Sequence, residues 1–593
     1  MDSLTVAFPL VPLRNPLGFG PTDAVTLAVA LLIVLPMLVW RPWLAPAAAK
    51  LARRTALCMG ILAVLPVALR LALLAHHPVP VPDLYDEFGH LLVAGTLMKL
   101  RLANPPNALS QFFETFFVLQ SPSYAAIYPV GNGLAMAAGW FLFGTPWAGV
   151  LLCTGAFCAL VFWMLRGWTT PGWALFGGCL AVFQFGPLNQ WTNSYWGGAF
   201  SAAAGCLVFG ALPRIRNRGT RTDGLLLGAG LGLHLLSRPY ESLYLLLAVA
   251  LFFLPGLRSR RLPPALLFSA WACLPAVGLT LLQNKAVTGS WSTLPYVVSQ
   301  QRYGVPAVLT IQDAPVPAGP MTREQELDYR MQRGFHPGRD TLRSFTERLV
   351  FRIRYYRFYF LPPMFLALAV FLLTVRTWRW GYPPAVCAMF AIGVNLFPAF
   401  QFHYLAAVVC LFLLMAVRGL ERLTRVAGGR EAARLLMLLC WAQFAFWYGT
   451  HVLDGTPAAV SARSWDLWDS INHTNPERRI DVAKRLAGIP GRLLVFVRYW
   501  PGHVFQDEWV YNEADINRAR IVWARDLGPE NRKLLGLYPD RKAYLLEPDA
   551  RPPALDVYED TAIPQAVTAV PAAPDNSAKP APKKPLLELE QVR

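Results

Sequence analysis

The chain has 593 residues, 55% of them hydrophobic and 15% charged, and its mean hydropathy is +0.36. That composition excludes both an ordinary soluble globule and a disordered chain. The net charge of +18, from 54 basic and 36 acidic residues, would point to nucleic acid only if the basic residues formed a binding patch.

They lie instead in short links between apolar runs: Arg41, Lys50, Arg53 and Arg54; Arg214, Arg216, Arg218 and Arg221; Arg258, Arg260 and Arg261; Arg418, Arg422, Arg425, Arg430 and Arg434. This is the positive-inside signature of cytoplasmic loops, so the expected partner is a lipid bilayer and not nucleic acid. The expected fold class is a polytopic α-helical membrane protein. Twelve spans are expected, at 22–41, 56–76, 147–166, 172–188, 196–213, 224–237, 241–257, 264–283, 358–376, 381–400, 402–418 and 434–451, each close to the length that crosses a ~30 Å hydrocarbon core. The first is expected to be retained, because what precedes it does not read as a cleavable signal. All nine cysteines fall inside apolar runs, so no disulfide framework or zinc ribbon follows from them.

Two of the loops opposite the basic links, 77–146 and 284–357, are far longer than the ~4–6 residues of most connections, which marks them as functional. The first opens on "VPDLYDEFGH" and continues through "SPSYAAIYPVGNGLAMAAGWFLFG", read as interfacial or re-entrant helices. The second ends in "RLVFRIRYYRFYF", where Arg348, Arg352, Arg354 and Arg357 alternate with aromatics. Beyond 451 the character is that of a soluble unit. "TNPERRIDVAKRLAGIPG" has helix-start and Gly-stop chemistry. "RLLVFVRY", "ARIVWARD" and "RKAYLLEP" read as buried strands, with a helix in "GPENRKLLGLYPDR" between the last two. The expected domains are 1–55, an extra N-terminal helix and cytoplasmic loop; 56–451, the catalytic membrane domain; 452–561, a small α/β domain; and 562–593, a disordered Ala/Pro/Lys-rich tail.

Carboxylates beside lipid are costly unless they are solvated or held for a purpose. Asp86 and Glu87 open an apolar stretch, and Asp86 is the first choice for a general base, with Glu87 second. A divalent metal is the lesser alternative: His76, His77, Asp83, Glu87 and His90 are ligand types, and Glu87 with His90 has helical i, i+3 spacing. No cofactor is otherwise implied. In "HLLSRPYESLYLLL", Pro239 breaks an over-long apolar segment and leaves Arg238 and Glu241 at the break, either as an ion pair or with Arg238 free for a bound anion. The Arg348–Phe360 stretch, Lys99, Arg101 and Lys285 are further phosphate candidates. "TNSYWGGAFSAAAG" combines interfacial Tyr195 and Trp196 with small residues suited to close helix packing.

The segments "YDEFGHLLVAGTLMKLRLANPP", "SPSYAAIYPVGNGLAMAAGWFLFG", "LLSRPYES" and "FQFHYLAAVVCLFLLMAVRGLERL" resemble, across residues 56–420, the C-type (GT-C) glycosyltransferases. Among these they are similar to bacterial protein O-mannosyltransferases and lipid A aminoarabinose transferases. The chain departs from the pattern in its extra N-terminal span and in reading "SPSYAAIYP" where the family has an "HPP" stretch. The resemblance implies an inverting glycosyltransferase of the bacterial inner membrane, with the active-site loops and C-terminal domain extracytoplasmic. It implies a polyprenyl-phosphate sugar as donor and a hydroxyl of a protein, lipid or polysaccharide as acceptor. An acid of the first extracytoplasmic loop would be the base, which maps onto Asp86 with Glu87 beside it. Arg238, Lys99 or the group Arg352, Arg354 and Arg357 would hold the donor phosphate, and His90, Tyr128, Glu241, His403 and Tyr404 would complete the pocket. A transporter or flippase of a lipid-linked sugar is the competing reading, with the acids as proton relays. Their position in a long loop and not at mid-span weighs against it.

Overall fold

Apolar sequence of this length has one way to satisfy its backbone in lipid without closing a barrel, the α-helix. In the computed structural model, which describes residues 21–39, 44–256, 262–453, 456 and 476–559, each expected span is built on a helix. They are α1 (Pro21–Val39), α3 (Thr55–Ala72), α6 (Pro146–Leu165), α7 (Pro171–Phe185), α9 (Ala199–Asn217), α10 (Arg221–Leu235), α11 (Pro239–Phe253), α12 (Leu262–Thr288), α16 (Pro363–Leu373), α17 (Trp378–Asn395), α18 (Val409–Leu423) with its 3-10 lead-in Phe402–Val408, and α19 (Gly429–Val452). Between the first two sits a short α2 (Leu44–Ala52). The tail 562–593 and the links holding Arg41, Arg258, Arg260 and Arg261 lie outside the described residues.

Among the described residues five helices are long and apolar enough to cross a membrane, or six if Leu342–Tyr359 and Pro363–Leu373, bent by 116°, form one broken span. The other seven expected spans are helices of 11 to 19 residues. Proline and glycine account for several of these short lengths: Pro171, Pro239 and Pro363 start their helices at the first turn, and Gly186 ends α7. Small residues let the bundle close. Added Cβ atoms at Gly205, Gly228 and Gly419 would lie within 2.0 Å of a backbone oxygen of a neighbouring helix, so these positions are where backbones meet.

The two long loops are structured. Loop 77–146 holds α4 (Tyr85–Met98), a two-residue strand pair β1 (Val118–Leu119) and β2 (Ala125–Ala126), and α5 (Val130–Phe143). Loop 284–357 continues α12 and then carries α13 (Pro295–Tyr303), α14 (Arg323–Phe335) and α15 (Leu342–Arg352). Beyond residue 476 the chain forms α20 (Glu477–Ala487), β3 (Leu493–Val497), β4 (Ile521–Arg525), α21 (Asn531–Leu537), β5 (Lys542–Glu547) and β6 (Ala554–Val557). The sheet order is β4-β3-β5-β6, with β3 parallel to both neighbours and β6 antiparallel at the edge. All five residues of β3 are buried, as a central parallel strand requires.

Candidate active site

The site is assembled on the first turn of α4. Its N-terminal amides are satisfied by the Glu87 side chain: one carboxylate oxygen accepts from the backbone N–H of Asp83 at 2.9 Å and Leu84 at 3.1 Å. The other accepts from Tyr195 N–H at 2.9 Å. A carboxylate at N3 that caps its own helix also sits well in the helix dipole. Glu87 is 5% exposed and has no oxygen left over, so its geometry is that of a clasp between α4 and the segment after the short helix α8 (Gln190–Asn193).

Asp86 points elsewhere. Its carboxylate accepts a hydrogen bond from the Tyr128 hydroxyl and is faced by the Trp196 indole and the Arg238 guanidinium. Tyr128 reaches it because position 89 is glycine. A Cβ there would stand 2.4 Å from the Tyr128 ring, so Gly89, which weakens the helix in sequence terms, is what lets the ring lie on it. Tyr128 is fixed in turn by Gln283, which donates to its carbonyl at 2.8 Å. His90 packs on Tyr128 with ring centroids 4.3 Å apart, and its Nδ1 has no partner.

Arg238 enters from the break between α10 and α11, where it precedes Pro239 at the first helical position. The break is tied to loop 77–146 by Gly131 N–H donating to Leu236 C=O at 2.7 Å. Arg238 lies 3.9 Å from Glu241 and 4.9 Å from the Tyr404 ring centroid. It is near enough to Glu241 for charge pairing, and among the described residues its guanidinium makes no hydrogen bond, so its donors remain available to an anion. His403 closes this side, with ring centroids 5.5 Å from Trp196 and 5.0 Å from Tyr404.

Burial pushes the Asp86 carboxyl up to about 6, against the Tyr128 hydroxyl, Arg238 and Trp196, which hold it down. Burial likewise raises Glu87 to about 7, against the three backbone N–H groups that favour its ionised form. His90 is driven down to about 3 by burial and then by Arg238, so it is neutral at physiological pH. Tyr128 is raised well above its ordinary value, first by burial and then by Asp86, and keeps its proton as a donor.

Eight of the candidate residues therefore converge: Asp86, Glu87, His90, Tyr128, Arg238, Glu241, His403 and Tyr404. The remaining phosphate candidates are engaged elsewhere or stand apart, although Arg352 is within electrostatic reach of Tyr404. Lys99 is the C-cap of α4, one helix length or about 20 Å from Asp86. Arg101 lines a small cavity with Val93, Thr96 and Gln283, and Lys285 donates to Gly289 C=O. Arg352, 4% exposed, donates to the carbonyls of Val394, Phe397, Pro398 and Ala399. It closes the C-terminal end of α17, where backbone oxygens lack helical partners. Arg354 stacks on Phe351 at 4.3 Å, Arg348 pairs with Asp340, and Arg357 is buried. Nor is the alternative ligand set of His76, His77, Asp83, Glu87 and His90 assembled: among the described residues no three His, Cys, Asp or Glu side chains group to hold a metal. His77 packs instead against His451, centroids 5.1 Å apart.

Sequence reading missed three contributors. Trp196 has the pattern of an interfacial residue in sequence but faces Asp86, the Tyr296 ring lies 6.3 Å from that of Tyr128, and Arg70 falls within the expected span 56–76. Arg70 is fully buried and donates to Asn193 and to the carbonyls of His77 and Pro78, so it anchors the start of loop 77–146. An arginine inside an apolar helix was the available signal.

Fold and site define a multi-pass helical membrane protein in which a partly buried carboxylate of loop 77–146 is faced by an unbonded guanidinium from the break between α10 and α11. Among solved structures the chain is similar to ArnT from Cupriavidus metallidurans bound to undecaprenyl phosphate, at 11% identity over 82% of this chain and 92% of that one, TM-score 0.49. It is also similar to the archaeal oligosaccharyltransferase AglB from Archaeoglobus fulgidus in complex with an inhibitory peptide and a dolichol-phosphate, at 13% identity over 83% and 69%, TM-score 0.37. No family model and no curated protein matches.

Proposed function

We propose that the protein is an inverting membrane glycosyltransferase that moves a sugar from a polyprenyl-phosphate donor to an acceptor hydroxyl on the extracytoplasmic face. The observation that carries this reading is the pairing of Asp86, desolvated yet still ionisable near neutrality, with Arg238, a cation whose hydrogen-bond donors are unused. In the reaction Asp86 takes the proton of the acceptor hydroxyl. The acceptor oxygen attacks the anomeric carbon, the bond from that carbon to the phosphate oxygen breaks, and its electron pair stays on the phosphate. Arg238 faces that developing charge, as an electrostatic stabiliser must. Tyr128 orients the carboxylate and remains protonated, while neutral His90 offers Nδ1 to a sugar hydroxyl. Glu87 holds the helix and is not the group that receives the acceptor's proton.

A positioned general base contributes about 10²–10⁴-fold. Purified protein in lipid, given labelled polyprenyl-phosphate sugars and candidate acceptors, should transfer label, and Asp86→Asn should lose at least two orders of magnitude. Wild-type rates from Asp86→Asn would remove the base from the mechanism. Absence of transfer by the wild type with any such donor would remove the reaction class.

A further inference from the structure

The unit beyond residue 476 touches the site from behind. In a helix, residues two apart point about 200° from one another, so Phe88 lies on the back of α4 from Asp86. Its ring stacks on Tyr511 with centroids 4.3 Å apart and planes 3° from parallel. The Arg479 guanidinium, from α20, stands 4.7 Å from the Phe88 ring and 4.6 Å from that of Trp509. The same loop makes two further contacts: Tyr124, two residues before β2 ends, donates to Asn512 C=O at 3.0 Å, and a Cβ at Gly95 on α4 would meet Ala514 at 3.7 Å.

That loop is itself gripped. The Glu508 carboxylate accepts from the N–H groups of Trp509 and Val510, both at 3.0 Å, from the Tyr499 hydroxyl and from Arg525 at 3.1 Å. Arg525, at the end of β4, also pairs with Glu324 in the first turn of α14, and Arg323 donates to the carbonyls of Trp500 and Pro501. In open α/β sheets the crevice beyond the carboxyl ends of parallel strands is where ligands bind. Here that edge is filled by the chain's own loop 499–512 and by α14, so its place in the molecule is that of a dock.

We infer that Tyr511 and Arg479 are positioning residues: they clamp Phe88 and thereby fix the helix that carries Asp86. The inference rests on the glycosyl-transfer reading for its kinetic consequence but not for its structural one. Misplacement of a reacting group by about 1 Å costs on the order of 10²-fold, so Tyr511→Ala should lower kcat at least about tenfold while the donor KM moves less than about twofold. Tyr511→Phe, which keeps the ring, should restore kcat. Hydrogen–deuterium exchange of residues 85–98 in the full-length protein in lipid reads the clamp with no substrate present. It should quicken in Tyr511→Ala and stay at the wild-type rate in Tyr511→Phe. Where Tyr511→Ala does not fold, Arg479→Met is read in the same way. Unchanged exchange across α4, or faster exchange with unchanged kcat, overturns the inference. A wild type that transfers no sugar overturns the proposed reaction, and exchange still decides the clamp.

Discussion

Tyr128→Phe tests the base assignment most sharply, because it removes one hydroxyl and leaves the ring that fills the site. The proposed reaction needs Asp86 ionised. With its carboxyl at about 6, about 9% is ionised at pH 5 and about 91% at pH 7, so wild-type kcat/KM should climb about tenfold between them. Asp86 is faced by Tyr128 and Tyr296 from the loops, by Arg238 at the α10–α11 break, by Tyr404 from the 3-10 lead-in of α18 and by Trp196, while Tyr511, stacked beyond Phe88, acts on it only through its field. Of these, the Tyr128 hydroxyl, Arg238 and Trp196 favour its ionised form. A hydrogen bond to a charged group is worth about 1.5–3 kcal/mol, and about 1.4 kcal/mol is one pKa unit. Tyr128→Phe should therefore move the acid limb upward by about one to two units. At pH 6.5 the variant should run about 3- to 25-fold slower than wild type, and near pH 9 it should recover most of the rate. The assay is initial transfer rate of labelled donor against pH, at donor well below KM, in lipid. A deficit that is the same at every pH, or a limb that moves downward, refutes the assignment of Asp86 as the titrating base.

Glu87→Gln replaces an acceptor oxygen with an amide that meets backbone N–H donors, so thermal or denaturant unfolding should show a loss of about 1–3 kcal/mol, while the acid limb of the surviving activity stays in place. Total loss of transfer with unchanged stability would make Glu87 the base instead. Arg238→Gln should lower kcat/KM about 10²–10³-fold, the scale set by loss of one stabilising donor, and raise the acid limb, since Arg238 holds the Asp86 carboxyl down. An unchanged pH profile together with unchanged donor binding by isothermal titration would exclude the guanidinium from the site. Arg352→Ala strands four backbone carbonyls and should cost at least about 3 kcal/mol of stability. Donor affinity measured on the folded fraction should match wild type, and a selective affinity loss would return Arg352 to the phosphate-binding set.

What could be read in the sequence was whatever stood out against an apolar background. Acids next to "FGHLLVAGTLM" and an arginine before Pro239 in a long apolar run both violate the local rule and so demand a reason. The structure brings them together. What could not be read was which charges already had work to do. In sequence "RLVFRIRYYRFYF" offers four equivalent arginines, but the helix end at 394–399 exposes carbonyls that only the fold presents, and Arg352 is consumed there. Element lengths were poorly legible for a related reason. An apolar run marks burial, whereas Gly186, Pro239 and Pro363 decide where its helix starts or stops. Trp196 and Tyr511 carried no local signal, since their roles come from contacts across more than a hundred residues.

Adjacent acids on one helical turn point about 100° apart, and that angle is what separates the two roles in "YDEFGH". The direction that faces the helix's own N-terminal amides also faces Tyr195 N–H, so the residue there is saturated with donors and bound into the scaffold. The neighbouring direction opens onto Tyr128, Trp196 and Arg238, where one hydroxyl, one indole and one distant cation only partly offset burial. A carboxylate held by three backbone donors and one held by a hydroxyl, an indole, a cation and its own N–H both end with raised carboxyls, at about 7 and about 6, but the donors of the first belong to the scaffold, whereas those of the second are mainly side chains that meet at the candidate site. The pKa values alone would favour Glu87 as the base, being nearer neutrality. The hydrogen-bond geometry reverses that order, because a base must first be within reach of the proton it takes.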